Sequence, residues 1–249
     1  MYRVPHISID FSTQEELLLS ALATGDRKIE SAIKKTTLGY QSFEELVQKG
    51  SLLKEPSREK PPQKSHPKQK LKKELRRYRI QHKAKFTTPF HRFWFRYIYP
   101  SKELLEAKEY DKVLEFILND LENFVSYTFE ELCNEMVEER FGQKGGSYWD
   151  RRVELDILID LPSGKKVVGE CKWKNSKICK KVFTSLQKKC QLIGLDVEYY
   201  ALFSKSSFSN ELLKSRPKNL LLFDLEDFKE WSEEKAYKKR EKVPYSFEF

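Results

Sequence analysis

Three residues carry the chemistry this sequence offers most openly: Asp156, Glu170 and Lys172. They lie in VELDILIDL (153–161) and KKVVGECKW (165–173), two runs joined by Pro162-Ser163-Gly164. Period-two alternation reads each run as a β-strand, and the Pro-Ser-Gly turn folds them into a hairpin. One face collects Val153, Leu155, Ile157, Ile159, Leu161, Val167, Gly169, Cys171 and Trp173, and is the core side. The other collects Glu154, Asp156, Leu158, Asp160, Lys166, Val168, Glu170 and Lys172. With a three-residue loop Leu161 pairs with Lys165, which sets Asp156 opposite Glu170. Cβ atoms of directly opposed residues lie about 5 Å apart. Two carboxylates at that separation raise one another's pKa unless a cation sits between them. Mg²⁺ or Mn²⁺ suits the position, because such hard cations take one or two carboxylates together with phosphate and water. Lys172, two residues beyond Glu170, shares the face and is placed to orient a water or to stabilise charge on a phosphate. The plain alternative from spacing alone is a solvated outer face with two acids opposed by chance.

Elements on either side must hold this hairpin. Before it, residues 102–141 read as two helices, one carrying Val113, Phe116 and Ile117, the next Val125, Phe129, Leu132, Cys133, Met136 and Val137. Gly142, Gly145 and Gly146 end the helical pattern. After it, Ile178, Val182, Phe183, Leu186, Cys190 and Ile193 form the apolar face of a further helix. Lys180, Lys181, Lys188 and Lys189 fall mostly on its other faces, which reads first as a solvated lysine surface and otherwise as a contact for a phosphate backbone. VEYYALFS (197–204) and NLLLFD (219–224) read as two more strands.

The chain of 249 residues has a formal net charge of +9, which points toward nucleic acid or an anionic surface. The first 100 residues carry about +11 and the rest about −2, so the acids of the second half are not there for bulk electrostatics. No apolar run approaches membrane-spanning length, and the beginning has no apolar signal core. Cys133, Cys171, Cys179 and Cys190 make no C-x-x-C pair or zinc-finger spacing, so reduced, mostly buried thiols in a cytoplasmic protein are expected.

The first half begins with three short helices. Ser12 with Glu15, and Thr13 with Glu16, have capping-box spacing, and Leu17, Leu18, Ala21 and Leu22 give an apolar stripe. Asp26 is placed to cap a second helix with Ile29, Ala32 and Ile33 inward; Phe43, Leu46 and Val47 line a third, closed by Gly50. A strand at 51–53, a charged stretch at 55–73 too poor in apolar residues to pack, and a returning strand at 77–81 complete the order of a winged helix-turn-helix. Its third helix carries Glu44 and Glu45, which suit phosphates poorly, whereas Lys68, Lys70, Lys72, Lys73, Arg76, Arg77 and Arg79 suit a DNA backbone without sequence preference. In the run from Phe86 to Pro100, Thr88 reads as an N-cap with Pro89 first in the helix. Phe90, Phe93, Trp94 and Tyr97 repeat on one side of it, as a helix core or a stacking platform for bases.

Asp156 followed by Glu170-Cys171-Lys172, after a helix containing FEELC, resembles the PD-(D/E)xK nuclease superfamily. FHRFWFRYIYP, FEELC, the ELDILI strand and GECKW together are similar to the C-terminal region of a family of archaeal and bacterial AAA-type ATPases, a domain of unknown function. The helices from Leu17 to Leu53 fit the same order. The resemblance covers nearly the whole chain. It implies an α/β protein: an N-terminal winged helix-turn-helix followed by a restriction-endonuclease-like mixed β-sheet flanked by helices. It implies a winged-helix domain at 1–85, an aromatic-rich helical connector at 86–124 and a nuclease-like domain at 125–249. Asp156 and Glu170 match the metal-binding carboxylates and Lys172 the catalytic lysine. Glu130 matches a helix carboxylate that reaches the metal directly or through water, with Glu131 as its neighbouring alternative and Glu154 and Trp149 as rim candidates. The implied activity is Mg²⁺-dependent hydrolysis of DNA. No G-x-x-x-x-G-K-[ST] occurs in this chain, so ATP hydrolysis by that loop is excluded. A separately encoded AAA-type ATPase is an expected partner, and a non-catalytic adaptor for DNA or for that ATPase is the alternative function.

Overall fold

The structure is a computed structural model that describes residues 11–76 and 78–241. The chain divides into two compact units between Leu121 and Glu122.

The first unit starts with α1 (Thr13–Thr24), whose N-terminus is closed by the Ser12–Glu15 capping box. The buried stripe of α1 is Leu18, Leu19, Leu22 and Ala23, while Leu17 is 47 % exposed. The inward stripe is therefore rotated by about one residue from the expected one. α2 (Ile29–Thr36) starts from Lys28 with no side-chain cap; Asp26 accepts instead from the Lys28 N–H, two residues before the capping position. α3 (Tyr40–Gln48) buries Phe43 and Leu46 and ends at Gly50, which adopts a positive φ of 72°. These helices pack with β1 (Leu52–Glu55) and β2 (Lys83–Phe86), an antiparallel pair in which Leu52 faces Phe86. The returning strand thus lies at 83–86, beyond the expected 77–81. Ala84 and Phe86 can be fully buried there, whereas Tyr78 and Ile80 are only partly covered. Between the strands, the short helix α4 (Lys73–Arg76) forms and the Tyr78 hydroxyl donates to Glu59.

Thr88 caps α5 (Pro89–Phe93) by accepting from the His91 N–H. The helix then widens into a π-type turn over Trp94–Ile98 and a 3-10 turn over Tyr99–Ser101. That widening rotates the aromatic face. Phe95 and Tyr97 are buried, while Phe90 and Trp94, read as part of one inward stripe, are 46 % and 37 % exposed and lean on each other. After α6 (Lys102–Glu106), α7 (Tyr110–Phe141) runs unbroken for 32 residues where two helices were expected. No glycine or proline interrupts it.

The second unit contains β3 (Tyr148–Trp149) paired with β4 (Glu154–Leu155), and a sheet ordered β5 (Ile157–Asp160), β6 (Lys166–Lys172), β7 (Val197–Ser204), β8 (Leu220–Phe223). β5 and β6 are antiparallel; β6–β7 and β7–β8 are parallel, so the sheet is mixed. α7 packs on one face through Phe129, Cys133, Met136 and Val137, joined by α10 (Leu225–Glu241) through Phe228. α8 (Lys180–Leu192) and α9 (Asn210–Lys214) cover the other through Phe183, Leu186, Cys190 and Leu212. The fold is α/β, a mixed sheet flanked by helices. Its hairpin has the expected loop and register: Gly164 turns at φ 81°, the Leu161 N–H donates to the Lys165 carbonyl, and Ile157 faces Gly169. Its second face, which carries Asp156 and Glu170, is covered as well, unlike the solvated outer face of the plain alternative: Leu158 and Val168 are core residues beneath α8. A central strand needs both faces apolar except where a site is built.

Gly169 lies between Ile157 and Ala201 on the neighbouring strands. A methyl group there would lie 2.9 Å from Ile157 Cδ1 and 3.2 Å from the Ala201 carbonyl oxygen. Gly169→Ala is expected to cost about 1–3 kcal/mol. It should lower Tm by about 2–4 °C for each kcal/mol. A melting curve superimposable on that of the parent would refute the packing described.

Candidate functional site

The site is built around a break in the hairpin. A continuous strand from Val153 to Leu161 would place Leu155 and Ile157 on one face. Instead the chain bends at Asp156, between β4 and β5, and alternation fails there. Ile157 joins the core under α7, while Leu155 joins the core under α8. The bend is held from two sides. Asn134 of α7 donates its Nδ2 hydrogens to the Asp156 and Glu130 carbonyls, each at 3.0 Å. Asp156 Oδ2 accepts from the Cys171 N–H at 2.7 Å. The carboxylate thus takes a main-chain donor of β6 on the side where β5 would otherwise have continued the ladder.

Glu170 is 8 % exposed, on a central strand, beside Val168 and beneath α8. Each of its oxygens meets a different ammonium group: Oε1 lies 2.7 Å from Lys172 Nζ and Oε2 lies 2.7 Å from Lys189 Nζ. Burial and then the charge of Glu170 push the Asp156 carboxyl up to about 6; the Cys171 N–H, Lys172 and Lys189 pull the other way. The Lys172 ammonium is opposed by burial, yet the hydrogen bond and charge of Glu170 prevail and raise its pKa. Lys172 is therefore held as a cation beside Glu170.

Glu130 stands on α7 one turn before Asn134, and its charge, with that of Asp156, is felt by the Cys133 and Cys171 thiols. Glu131, the next residue, is half-buried like Glu130. Among the described residues, no three His, Cys, Asp or Glu side chains converge to hold a metal ion by themselves. The donor set toward such an ion is the pair Asp156 and Glu170. Paired hard-oxygen carboxylates fit Mg²⁺ or Mn²⁺, which complete their shells with water and phosphate oxygens. Trp149 is buried and Glu154 exposed, paired across β3 and β4. The Cys133 and Cys171 thiols are buried against each other and pushed up, first by desolvation, so cysteine nucleophile chemistry does not fit.

Lys189 escaped the sequence reading, which grouped it with the outer lysines of α8. The signal was present. Lys189 follows Leu186 by three residues and precedes Ile193 by four, so it borders the apolar face, whereas Lys180, Lys181 and Lys188 are exposed. Asn134 carried no signal, because its role depends on the bend. Lys68, Lys70, Lys72, Lys73, Arg76 and Arg79 are all exposed in the first unit; Arg77 lies outside the described residues. No helix among the described residues is long and apolar enough to cross a membrane.

A carboxyl whose pKa is higher in the folded than in the unfolded state binds its proton more tightly when native. Asp156 therefore costs no stability below about pH 4 and its full cost above pH 6, about 1.4 kcal/mol for each pH unit between its unfolded and folded values. In EDTA, Asp156→Asn should gain on the parent by up to about 3 kcal/mol as pH rises from 4 to 7. Mg²⁺ should narrow that gap. Urea melts across this range check it, and parallel pH profiles for the two proteins would refute the buried-pair electrostatics.

Residues 94–182 match the family DUF234, archaeal and bacterial proteins of unknown function. No curated protein matches the chain. A solved protein of unknown function, AF1548, is similar over 41 % of this chain and 66 % of its own length, at 19 % identity and a TM-score of 0.31. A repair endonuclease from Pyrococcus abyssi is similar over 38 % of this chain and 46 % of its own length, at 16 % identity and a TM-score of 0.29. The match spans less than two thirds of either solved chain.

Proposed function

We propose that this chain is a divalent-metal-dependent DNA phosphodiesterase of the PD-(D/E)xK kind. The observation that carries the reading is the buried pair Asp156 and Glu170 on adjoining segments of a hairpin, with Lys172 bonded to Glu170. Asp156 and Glu170 are the residues that would hold Mg²⁺ or Mn²⁺, and Glu130 of α7 would contribute through a water. When bound, such an ion polarises a phosphodiester and lowers the pKa of water. The chain's own residues do the rest. Lys172, kept protonated, faces charge that builds on the phosphate as water attacks phosphorus and the ester oxygen departs. Asn134 and the Cys171 N–H hold Asp156 so that its backbone does not reorganise during the reaction.

In this reading the first unit, three helices followed by the β1–β2 pair, acts as a winged helix. Its exposed residues Lys68, Lys70, Lys72, Lys73, Arg76 and Arg79 track a DNA backbone, with Arg77 a further candidate from its charge alone. A binding-only reading has one observation in its favour: both oxygens of Glu170 are already satisfied by ammonium groups, as in a structural ion cluster. In that case the chain serves as an adaptor for DNA or for a separately encoded AAA-type ATPase.

Plasmid and branched DNA incubated with Mg²⁺, Mn²⁺ or EDTA separate the two. Metal-dependent cutting is expected, with Asp156→Ala and Lys172→Ala each slowing it by about 10²–10³-fold or more. DNA binding without cutting, unaltered in both variants, would establish the adaptor instead. Replacing Lys68, Lys70, Lys72 and Lys73 by Gln should flatten the log–log salt dependence of DNA affinity by about 0.9 for each phosphate no longer neutralised. An unchanged slope would remove this stretch from the interface.

A further inference from the structure

Both oxygens of Glu170 are engaged, each 2.7 Å from a separate ammonium nitrogen. A divalent cation that takes an oxygen of Glu170 is repelled by the ammonium group already on it, so its binding is favoured when one lysine moves away. The two differ in how they are tethered. Lys172 sits two residues from Glu170 on the same strand and the same face, so the backbone keeps it close whichever way its side chain turns. Lys189 comes from α8, a separate element, and keeps 28 % of its side chain exposed. Ser185, one turn before Lys189 on α8, is exposed, and it lines a surface depression together with Lys180, Lys181, Thr184, Lys188 and the single carboxylate Glu211 of α9.

We infer that Lys189 is a phosphate-binding residue held in reserve: it neutralises Glu170 in the metal-free protein and moves to a DNA phosphate when a divalent cation replaces it. The inference rests on the metal-dependent reading above and gives it a regulatory consequence. Metal binding and DNA binding become coupled through one side chain, and such coupling is reciprocal. Without metal, Lys189 is committed to Glu170 and the site grips DNA weakly. With metal, the two carboxylates are engaged by the ion, and Lys189 joins the lysine surface of α8. The positive charge offered to a phosphate thus rises by more than the ion alone supplies.

The experiment reads binding, not turnover. Calorimetry gives the affinity of Ca²⁺, another cation that prefers oxygen ligands, for the full chain. Fluorescence anisotropy gives the affinity for a labelled DNA duplex, with and without Ca²⁺, and a gel confirms that the duplex stays intact. Parent, Lys189→Gln, Lys189→Arg and Lys188→Gln are compared after matching melting curves establish that each is folded. Ca²⁺ should tighten DNA binding by the parent by about 5–150-fold, the usual span of coupling between sites. Lys189→Gln should bind Ca²⁺ more tightly in the absence of DNA, yet lose most of the Ca²⁺-induced gain in DNA affinity. Lys189→Arg should recover that gain. Lys188→Gln should weaken DNA binding equally with and without Ca²⁺. The inference is overturned if Lys189→Gln keeps the parent's gain, or if the parent shows no coupling at all. Coupling in a protein that never cuts DNA would uphold the inference and sink hydrolysis alone, so the two failures are distinguishable.

Discussion

A carboxylate cannot be taken out of water alone, and the second unit is organised around that constraint. Glu170 lies on the central strand β6 with apolar residues before and behind it. An isolated charge there would cost several kcal/mol even after relaxation. Lys172 and Lys189 supply the compensation from two directions, one along the strand and one from the covering helix. Such an arrangement is a poor way to gain stability, since well-packed apolar residues serve as well or better. It is a good way to keep a charged group poised where a core would otherwise be. The same logic extends to Asp156, whose carboxyl shares the enclosure and is pushed toward its neutral form.

The bend at Asp156 is the second constraint, and it follows from the first. Were β5 to continue, Asp156 would be an ordinary sheet residue with its side chain perpendicular to the pleat. Bending lets the carboxylate turn back and cap the Cys171 N–H, beside Glu170. The main-chain pairing forgone by β5 is recovered by β4 with β3, and the free carbonyl of the bend is met by Asn134. Backbone polar groups are thereby satisfied although the strand is interrupted.

The hairpin register was legible in the sequence because Pro162-Ser163-Gly164 fixes the loop and period-two alternation fixes the faces. Asp156, Glu170 and Lys172 were legible as a group for the same reason. The bend was not, because it arises from contacts with α7 and with the β6 backbone that have no local signature. Covering of the second face was hidden because Leu158 and Val168 sit among charged neighbours and read as exceptions rather than core. Lys189 was misplaced by counting charges on α8 instead of projecting its angle. In the first unit, the aromatic run was read with a period of 3.6, and the π-type turn after Phe93 shifted the phase, so that Phe95 replaced Trp94 inside. Propensity says nothing of such a turn.

The hairpin tip has a practical bearing of its own. Pro162, Ser163 and Gly164 are exposed, and the side-chain bond that Ser163 makes outward, with Glu198, is also at the surface. Glu170 lies five residues from Lys165, about 17 Å along an extended strand. Doubling a flexible loop adds only about 0.6 kcal/mol to its closure. The tip is thus a place where a fluorophore or a short peptide tag can be carried on the rigid end of the very strand that bears Glu170, reporting on it while leaving its surroundings untouched.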